Sequence, residues 1–400
     1  MLSNDAITMA KKWVMDSGIQ NDKGYNRGGF NSWFDLETEE YPYVYSEITG
    51  YGITTLLFLH RFFTGNFVER SVLAADWLLV NALHECGGVK TRQYQHDMEE
   101  SESYSFESGN IYAFDNGMVL YGLVNLYKEC GEKKYLEFAK KIADFLIRTM
   151  QKEDGLFYAS YNPETEEKED VFLKWSSQSG SYHAKLALGF TDLFDVTKDD
   201  VYKDAVMKLC YASLKFQDSN GRFITSHEDE STHLHPHAYS AEGLLYAGIY
   251  FGNEEFILSA EKAVVWALNN QRQDGGIPKK YNNGNFVELY RTDILSQILR
   301  LALVLQKLGR LDKKYVQSIK KLREKLITFQ YSGDDSQSGG FYYGFTLDGA
   351  KKKHINSWCS MFALQALILY ESQGVKESKS QRVRESGSRE SDLTNEFQKT

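Results

Sequence analysis

Two hydrophobic patterns alternate along the chain, and both have helical spacing. In the first, apolar residues recur every three or four positions while Lys and Glu occupy the opposite face, as between Tyr135 and Leu146. A helix with this pattern packs one side on a core and turns the other to water. The pattern predicts half-exposed helices at 4–17, 69–83, 134–150, 200–216, 255–271 and 313–329.

The second pattern is apolar on nearly every side and contains small residues, as between Ser240 and Ile249. A helix that is apolar all round is buried. It predicts buried helices at 46–63, 115–130, 180–195, 239–251, 292–308 and 356–371. Six half-exposed helices alternating with six buried ones predict an all-α fold, an (α/α)6 toroid in which an outer ring encloses an inner barrel.

A loose internal repeat of roughly 50 to 70 residues accompanies this alternation. Its clearest copies carry Gln four residues before Gly, at Gln151/Gly155, Gln217/Gly221 and Gln271/Gly275. Weaker versions are Cys86–Val89 and Gln337–Phe341. Repeats of this length cannot bury their apolar faces alone, so they must stack or close into a ring.

The repeat extends to about residue 371, so residues 1–371 are predicted to form one barrel domain. The segment 372–400 is rich in Lys, Glu, Ser and Arg, with almost no apolar residues. Such a composition cannot form a core, and a disordered polar tail is predicted. The loop at 88–114 is long and polar and contains an acidic run at 97–102.

Charge and composition limit the partners and the location. The net charge of −9 argues against nucleic acid, because binding phosphates requires a basic surface. No apolar run is long enough to insert into a membrane, and the N-terminus lacks a basic start followed by an apolar stretch, so a cytoplasmic location is expected. The four cysteines have no metal-ligand spacing, and no cofactor is predicted.

The starts of the buried helices are expected to surround one cavity at one end of the barrel. Polar and aromatic residues cluster at these starts, although helix capping explains many such positions taken singly. The candidates for catalysis are Asp115, Glu47, Glu242, His237 and Tyr239. The candidates for substrate binding are Tyr45, Tyr51, Tyr112, Trp175, His183, His235, Arg291, Asp293, Trp358 and Trp33.

Carboxylates in an aromatic cavity are typical of glycosidic chemistry, in which one carboxyl group protonates the leaving oxygen and another acts as base or nucleophile. The leading prediction is therefore hydrolysis of a poly- or oligosaccharide, with Asp115 as acid/base and Glu47 or Glu242 as second carboxylate. Proton abstraction by Tyr239 or His237, with Arg291 binding a uronic carboxylate, would instead make the protein a lyase or C5-epimerase. A non-catalytic sugar-binding scaffold is the third alternative.

The segment His233-Leu-His235-Pro-His237 needs separate consideration. In an extended strand the three imidazoles would point to one side and could bind a divalent metal. No carboxylate or cysteine stands at a ligand spacing beside them. Hydrogen bonding to sugar is therefore preferred for His235 and His237, and no metal is predicted.

With its alternating helices, the chain resembles the six-hairpin glycosidase-like superfamily of (α/α)6 barrels over residues 4–371. The segment Phe114-Asp-Asn-Gly-Met-Val-Leu-Tyr-Gly-Leu resembles the second inner helix of unsaturated glucuronyl and rhamnogalacturonyl hydrolases, and this implies that Asp115 is an acid/base residue. The segment Tyr45-Ser-Glu-Ile-Thr-Gly-Tyr51 is similar to a signature of barrel proteins from exopolysaccharide biosynthesis clusters. That likeness implies a polysaccharide context, with polysaccharide-assembly proteins as candidate partners.

Overall fold

Twelve α-helices form most of the part of the chain described by the computed structural model, which covers residues 5–94, 110–171, 174–346 and 348–380. They alternate between an outer and an inner layer. The outer helices are α1 Asp5–Asp16, α3 Phe67–Trp77, α5 Lys133–Phe145, α7 Asp200–Leu214, α9 Glu254–Asn269 and α11 Val316–Ile327. The inner helices are α2 Ser46–His60, α4 Ala113–Cys130, α6 Ala187–Thr197, α8 Leu234–Phe251, α10 Thr292–Lys307 and α12 Ser357–Ser380.

The inner helices pack side by side in chain order, and α12 contacts both α1 and α2. This contact closes a ring, so the predicted all-α (α/α)6 toroid is confirmed. Small residues bring the inner helices close together: a Cβ atom at Gly50 would lie 2.7 Å from the carbonyl oxygen of Met118. The small residues in the buried pattern thus allow α2 and α4 to touch along their backbones.

Short turns of other helical types adjoin four of the helices. The outer helices α3 and α5 continue as π-helical turns, Leu78–Ala82 and Leu146–Met150, and a 3-10 turn at Lys313–Tyr315 precedes α11. The inner helix α6 follows a longer 3-10 segment, Ser181–Leu186. Because these turns continue the same spiral, the helical spacing of apolar residues extends through them, and the predicted ranges include them.

The predicted helix limits agree with the observed ones within a few residues, except at the start of α8 and the end of α12. Helix α8 was expected from residue 239 but begins at Leu234. Pro236 lies in its first turn, where a missing N–H group costs nothing because first-turn N–H groups have no partner inside the helix. Only His233 of the histidine segment is extended, as the end of β7, while His235 and His237 are helical, so the prediction of one extended strand through all three is wrong.

The Gln-Gly turns join an outer helix to the next one at five of the six steps around the ring; the turn between α3 and α5 contains no glutamine. In each turn the glutamine Nε2 atom donates two hydrogen bonds, one to a carbonyl oxygen of the turn and one to a carbonyl oxygen of the neighbouring outer helix. Gln217 donates to the Gly221 and Ser259 oxygens, both at 2.9 Å. Gly221 has φ +99, and a Cβ atom there would lie 2.6 Å from the Lys262 oxygen. The same arrangement occurs at Gln20, Gln151, Gln271 and Gln330.

The copy at Gln330 closes the ring. Its Nε2 donates to the Ala6 oxygen of α1 at 2.8 Å and to the Gly339 oxygen at 3.0 Å. In this copy Gln and Gly are nine residues apart instead of four, and the glutamine of the weak repeat recognised in the sequence, Gln337, makes other contacts. A longer loop therefore separates the two residues while the contact itself is preserved.

Short antiparallel strands, which the sequence analysis did not predict, lie at the end of the barrel where the inner helices begin. They are β1 Trp33–Asp35, β2 Tyr43–Tyr45, β3 Arg92–Tyr94, β4 Ile111–Tyr112, β5 Ser160–Tyr161, β6 Lys168–Glu169, β7 Thr232–His233, β8 Lys280–Asn282, β9 Asn285–Val287 and β10 His354–Asn356. Their pairs are β1–β10, β2–β3, β4–β5–β6 and β7–β8–β9. Four of them lead directly into inner helices, and β2 places Tyr45 opposite Arg92.

Helix α12 continues past Ser372, where the sequence predicts the start of a tail. Its extension is anchored by an ion pair of 2.9 Å between Glu371 and Arg323 and by a 3.1 Å hydrogen bond from Gln373 to the Leu303 oxygen. Residues 381–400 of the predicted tail and the acidic run at 97–102 lie outside the described residues. Among the helices that are described, none combines the length and apolar character required to cross a bilayer.

Candidate active site

A cavity of about 760 Å³ opens at the end of the barrel where the inner helices begin. The short strands form its rim and the first turns of the inner helices form its floor. Nine of the fifteen residues predicted for the site line it: Tyr45, Glu47, Tyr112, Asp115, Trp175, His235, Tyr239, Arg291 and Trp358.

Asp115 lies in the first turn of α4 and is 4% exposed. Its carboxylate accepts hydrogen bonds from the hydroxyl groups of Thr91 and Tyr45, the latter at 3.4 Å. Burial raises its pKa to about 6, and the Thr91 hydroxyl and the Arg92 charge limit the rise. These partners favour the ionised form of Asp115 at neutral pH.

Glu47 lies in the first turn of the neighbouring helix α2, on the same side of the cavity. Burial, together with the negative charge of Asp115, raises its pKa to about 8, although Tyr45, Lys185 and Tyr51 favour its ionised form. Two interacting carboxyl groups cannot both ionise easily, and Asp115 ionises first because Thr91 and Tyr45 donate hydrogen bonds to it and Arg92 lies nearby. The pair therefore holds one proton at neutral pH, and that proton belongs to Glu47.

Thr91 and Arg92 complete this side of the site, and the sequence analysis missed both. The Arg92 guanidinium carbon lies 4.8 Å from the ring centre of Tyr43 and 5.4 Å from that of Tyr45. The residue is 6% exposed and lines the cavity beside Asp115. In the sequence, Arg92 is marked only by its place in the long polar loop at 88–114. Strand β3 has three residues, which are too few to show an alternation of apolar and polar positions.

Asp293, on the opposite side, is fully buried behind the cavity wall rather than lining it. It accepts two hydrogen bonds from the Arg291 guanidinium, one of them at 3.0 Å, and a third from the indole nitrogen of Trp358 at 3.1 Å. Burial alone would raise its pKa, but the charge and the hydrogen bonds of Arg291 hold the pKa below the usual value. Asp293 therefore stays ionised and fixes the orientation of Arg291.

His235 also belongs to this wall, with its Nδ1 atom 3.3 Å from an Asp293 oxygen. Burial lowers the pKa of His235 to about 3 despite the nearby carboxylate. The ring is therefore neutral at physiological pH. A neutral imidazole has a free nitrogen lone pair that can accept a proton from a substrate, but a pKa this low makes it a weak base until a bound substrate changes its surroundings.

Tyr239 and Tyr51 meet below the two carboxyl groups, with their hydroxyl oxygens 3.2 Å apart. Burial and the charge of Glu47 raise the pKa of Tyr239 well above its ordinary value of 10. The phenol is therefore protonated at neutral pH and is a poor general base. Tyr51 borders a smaller cavity deeper in the barrel.

Glu242 does not line the main cavity, contrary to its predicted position. Because α8 begins five residues earlier than predicted, Glu242 lies in its third turn, deeper in the barrel. Its carboxylate forms ion pairs with Lys185, at 2.9 Å, and with Arg300, which is also inside the barrel. Glu242 therefore neutralises buried cations and is not positioned as the second catalytic carboxylate.

Three other predicted residues also lie away from the main cavity. His237 is two residues after His235 on one helix, about 200° around it, and its ring bonds the Phe223 nitrogen at 3.2 Å and the Ala263 oxygen at 3.0 Å. His183 is fully buried against Tyr182 and Phe157. Trp33 stacks on His354 with ring centres 4.9 Å apart.

No group of three or more His, Cys, Asp or Glu side chains in the described part of the chain is placed to hold a metal ion. The helical course of residues 234–237 directs His235 and His237 to different surroundings. The ionisable groups around the cavity include the carboxyl pair, the neutral histidine and the neighbouring cations.

Comparison with known proteins agrees with the barrel. The family model of glycosyl hydrolase family 47 matches residues 92–242. An uncharacterised protein of Caenorhabditis elegans is 32% identical over 120 residues, which are 28% of this chain and only 16% of that protein.

Solved structures match nearly the whole chain. A sugar epimerase from a ruminal bacterium has a TM-score of 0.74 at 13% identity, covering 92% of this chain and 99% of its own. Cellobiose 2-epimerase from Bacillus thermoamylovorans has a TM-score of 0.72 at 14% identity, covering 91% and 96%. Unsaturated glucuronyl hydrolase from a Bacillus species has a TM-score of 0.66 at 14% identity, and the match covers 92% of this chain and 97% of that one. The resemblance to six-hairpin glycosidase-like barrels inferred from the sequence is thus confirmed for the fold.

Proposed function

We propose that the protein is a carbohydrate-active enzyme that hydrolyses a glycosidic bond, with Glu47 as general acid and Asp115 as general base. The observation that carries the proposal is the carboxyl pair, in which one group is held protonated and the other ionised. Paired carboxyl groups with separated pKa values are the usual catalytic device of glycosidases. The match to a glycosyl hydrolase family model supports the same reaction class.

In this mechanism Glu47 donates its proton to the glycosidic oxygen as the bond to the anomeric carbon breaks. Asp115 accepts a proton from the water that attacks this carbon. The Tyr45 hydroxyl, 3.4 Å from Asp115, helps to orient the base. Trp175, Tyr112 and Trp358 supply flat apolar surfaces in the cavity on which sugar rings can stack.

The substitution Asp115→Asn tests this assignment. We expect turnover to fall by about 100- to 10,000-fold, the usual contribution of a general acid or base, while the melting temperature changes little. The measurement is release of reducing ends from a panel of oligosaccharides. Glu137→Gln, in an exposed position on α5, is the control and should keep full activity. Full turnover by Asp115→Asn at an unchanged melting temperature would remove Asp115 from the mechanism.

His235 supports a second candidate function, epimerisation of a sugar. It lies on α8, opposite Glu47 on α2 in the ring of inner helices, and its ring is neutral and close to Asp293. It could remove the proton beside the carbonyl group of an open-chain sugar while protonated Glu47 supplies one from the other face. The cellobiose 2-epimerase and the sugar epimerase described above share this fold.

This candidate replaces the earlier choice of base, because His237 lies outside the cavity and Tyr239 is held protonated. The assay is deuterium incorporation from heavy water into mono- and disaccharides, compared between the wild type and His235→Gln. Incorporation that the variant loses favours epimerisation over hydrolysis. Oligosaccharide binding without any product would instead favour the non-catalytic scaffold. Cytoplasmic location and polysaccharide-assembly partners stay predictions.

A further inference from the structure

Three cationic side chains from separate segments meet on the cavity wall that carries Arg291. Lys279 directly precedes β8, Arg291 precedes α10, and Lys352 lies before β10. The Arg291 guanidinium carbon is 4.5 Å from the ring centre of Tyr343, and the Lys352 ammonium nitrogen is 5.5 Å from the same ring. Burial and the Arg291 charge lower the pKa of Lys279, as expected for neighbouring cations.

No neighbouring carboxylate is paired with Lys279 among the described residues. Asp293 forms an ion pair with Arg291, and an Asp229 oxygen lies 2.9 Å from the Lys280 ammonium nitrogen. Within the described residues no carboxylate lies within 4.0 Å of Lys279, which is half-buried. A half-buried ammonium group without an opposite charge is unfavourable, and a bound anion would relieve that cost.

The position of these cations relative to the carboxyl pair follows from the ring. In the order α2, α4, α6, α8, α10 and α12, helix α10 lies three places from α4 and thus opposite it. Asp115 lies in the first turn of α4, and Arg291 directly precedes α10. The carboxyl pair, with Arg92 beside it, therefore lies across the cavity from the three cations, so a substrate bound to these cations would carry its negative charge away from the bond that reacts.

We propose that Lys279, Arg291 and Lys352 form an anion subsite that binds the acidic substituent of the substrate sugar, a carboxylate, sulfate or phosphate group. The three substituents share the oxyanion chemistry that ammonium and guanidinium groups recognise. The identification of the ligand as a sugar rests on the proposed function, whereas the subsite itself rests on the arrangement of the cations.

The test is titration calorimetry of the full-length protein with glucose, glucuronate, glucose 6-sulfate and glucose 6-phosphate at low salt. We expect at least one acidic sugar to bind at least tenfold more tightly than glucose, and the acidic sugar that binds best identifies the substituent. Lys279→Gln should weaken that binding about tenfold, equivalent to about 1.4 kcal/mol, and leave glucose binding unchanged.

Lys351→Gln is the matched control, because Lys351 is adjacent to Lys352 but exposed, with its ammonium group bonded to the Thr328 oxygen at 2.8 Å. If Lys279→Gln does not fold, Lys352→Gln is measured in its place. Equal affinity for glucose and all three acidic sugars overturns the proposal. The proposal is also overturned if Lys351→Gln weakens binding of the acidic sugar as much as Lys279→Gln or Lys352→Gln does.

The same titration with Asp115→Asn separates this proposal from the catalytic one. Preference for an acidic sugar that survives in this variant supports the subsite, even if no hydrolysis is found with the wild-type protein. Hydrolysis of neutral sugars without any preference for acidic ones would leave the catalytic proposal standing and overturn the subsite.

Discussion

Replacing Glu47 with Gln should make the protein more stable at high pH than at low pH, relative to the wild type. The pKa of Glu47 is raised from 4.5 to about 8 in the folded protein. Below pH 4.5 the carboxyl group is protonated in both the folded and the unfolded chain and contributes no difference. Above pH 8 the folded chain must hold a buried carboxylate, so this contribution destabilises the wild type but not the Gln variant.

The size of the effect follows from the shift. A change from 4.5 to about 8 corresponds to roughly 5 kcal/mol at most, at about 1.4 kcal/mol per pKa unit. Partial contact with the open cavity reduces this, and we expect about 2 kcal/mol. For 400 residues the entropy of unfolding is about 0.8 kcal/mol per kelvin, so the expected shift in melting temperature is about 2–3 °C.

The assay is differential scanning calorimetry of the wild type, Glu47→Gln and Glu137→Gln between pH 5 and pH 9. The difference in melting temperature between Glu47→Gln and the wild type should become more positive as pH rises from 5 to about 8 and should level off above pH 8, where the folded chain is also ionised. The control variant lacks an exposed carboxylate on α5 and should show no comparable trend. A difference that stays constant or falls with pH would show that Glu47 is not held protonated and would remove it as general acid.

Two substitutions test the packing around the site and the ring. Asp293→Asn leaves the buried Arg291 charge without its partner and should lower the free energy of unfolding by about 3–5 kcal/mol in urea titrations; a loss below 1 kcal/mol would contradict the assigned ion pair. Gly221→Ala combines a positive φ with a Cβ atom 2.6 Å from the Lys262 oxygen and should destabilise by at least about 2 kcal/mol. Gly284→Ala has φ +84 but no atom within 4 Å of its Cβ, so an equal loss there would refute the contribution of the contact.

The helices could be predicted from the sequence because their signal is local. An amphipathic or fully apolar spacing extends over ten or more residues, and each of the twelve segments has it. The strands could not be predicted, because two or three residues are too few to show alternation and their partners lie far away along the chain. The pairing of β1 with β10, for instance, depends on closure of the ring.

The site was predictable where residues stand at the starts of inner helices, as Glu47 and Asp115 do. The site residues that lie outside the helices, such as Arg92 and Lys279, could not be predicted. The spacing of apolar residues does not show where the side chain of a loop residue lies. Glu242 shows how one boundary can mislead. Its predicted place in the first turn depended on the start of α8, and a five-residue extension moved it into the barrel interior.

The contact between each Gln-Gly turn and the neighbouring outer helix has a consequence for how this chain can diverge. The glutamine bonds main-chain oxygens, and the glycine lies against a main-chain carbonyl. In two copies a side chain of the neighbouring helix also contributes, because Arg70 donates to the Gln20 oxygen and Ser259 to the Gln217 oxygen, each at 2.7 Å. Because the remaining bonds of the glutamine go to main-chain oxygens, substitutions on the exposed face of an outer helix leave them intact, and the repeats can keep the ring closed with little sequence in common beyond one glutamine and one glycine.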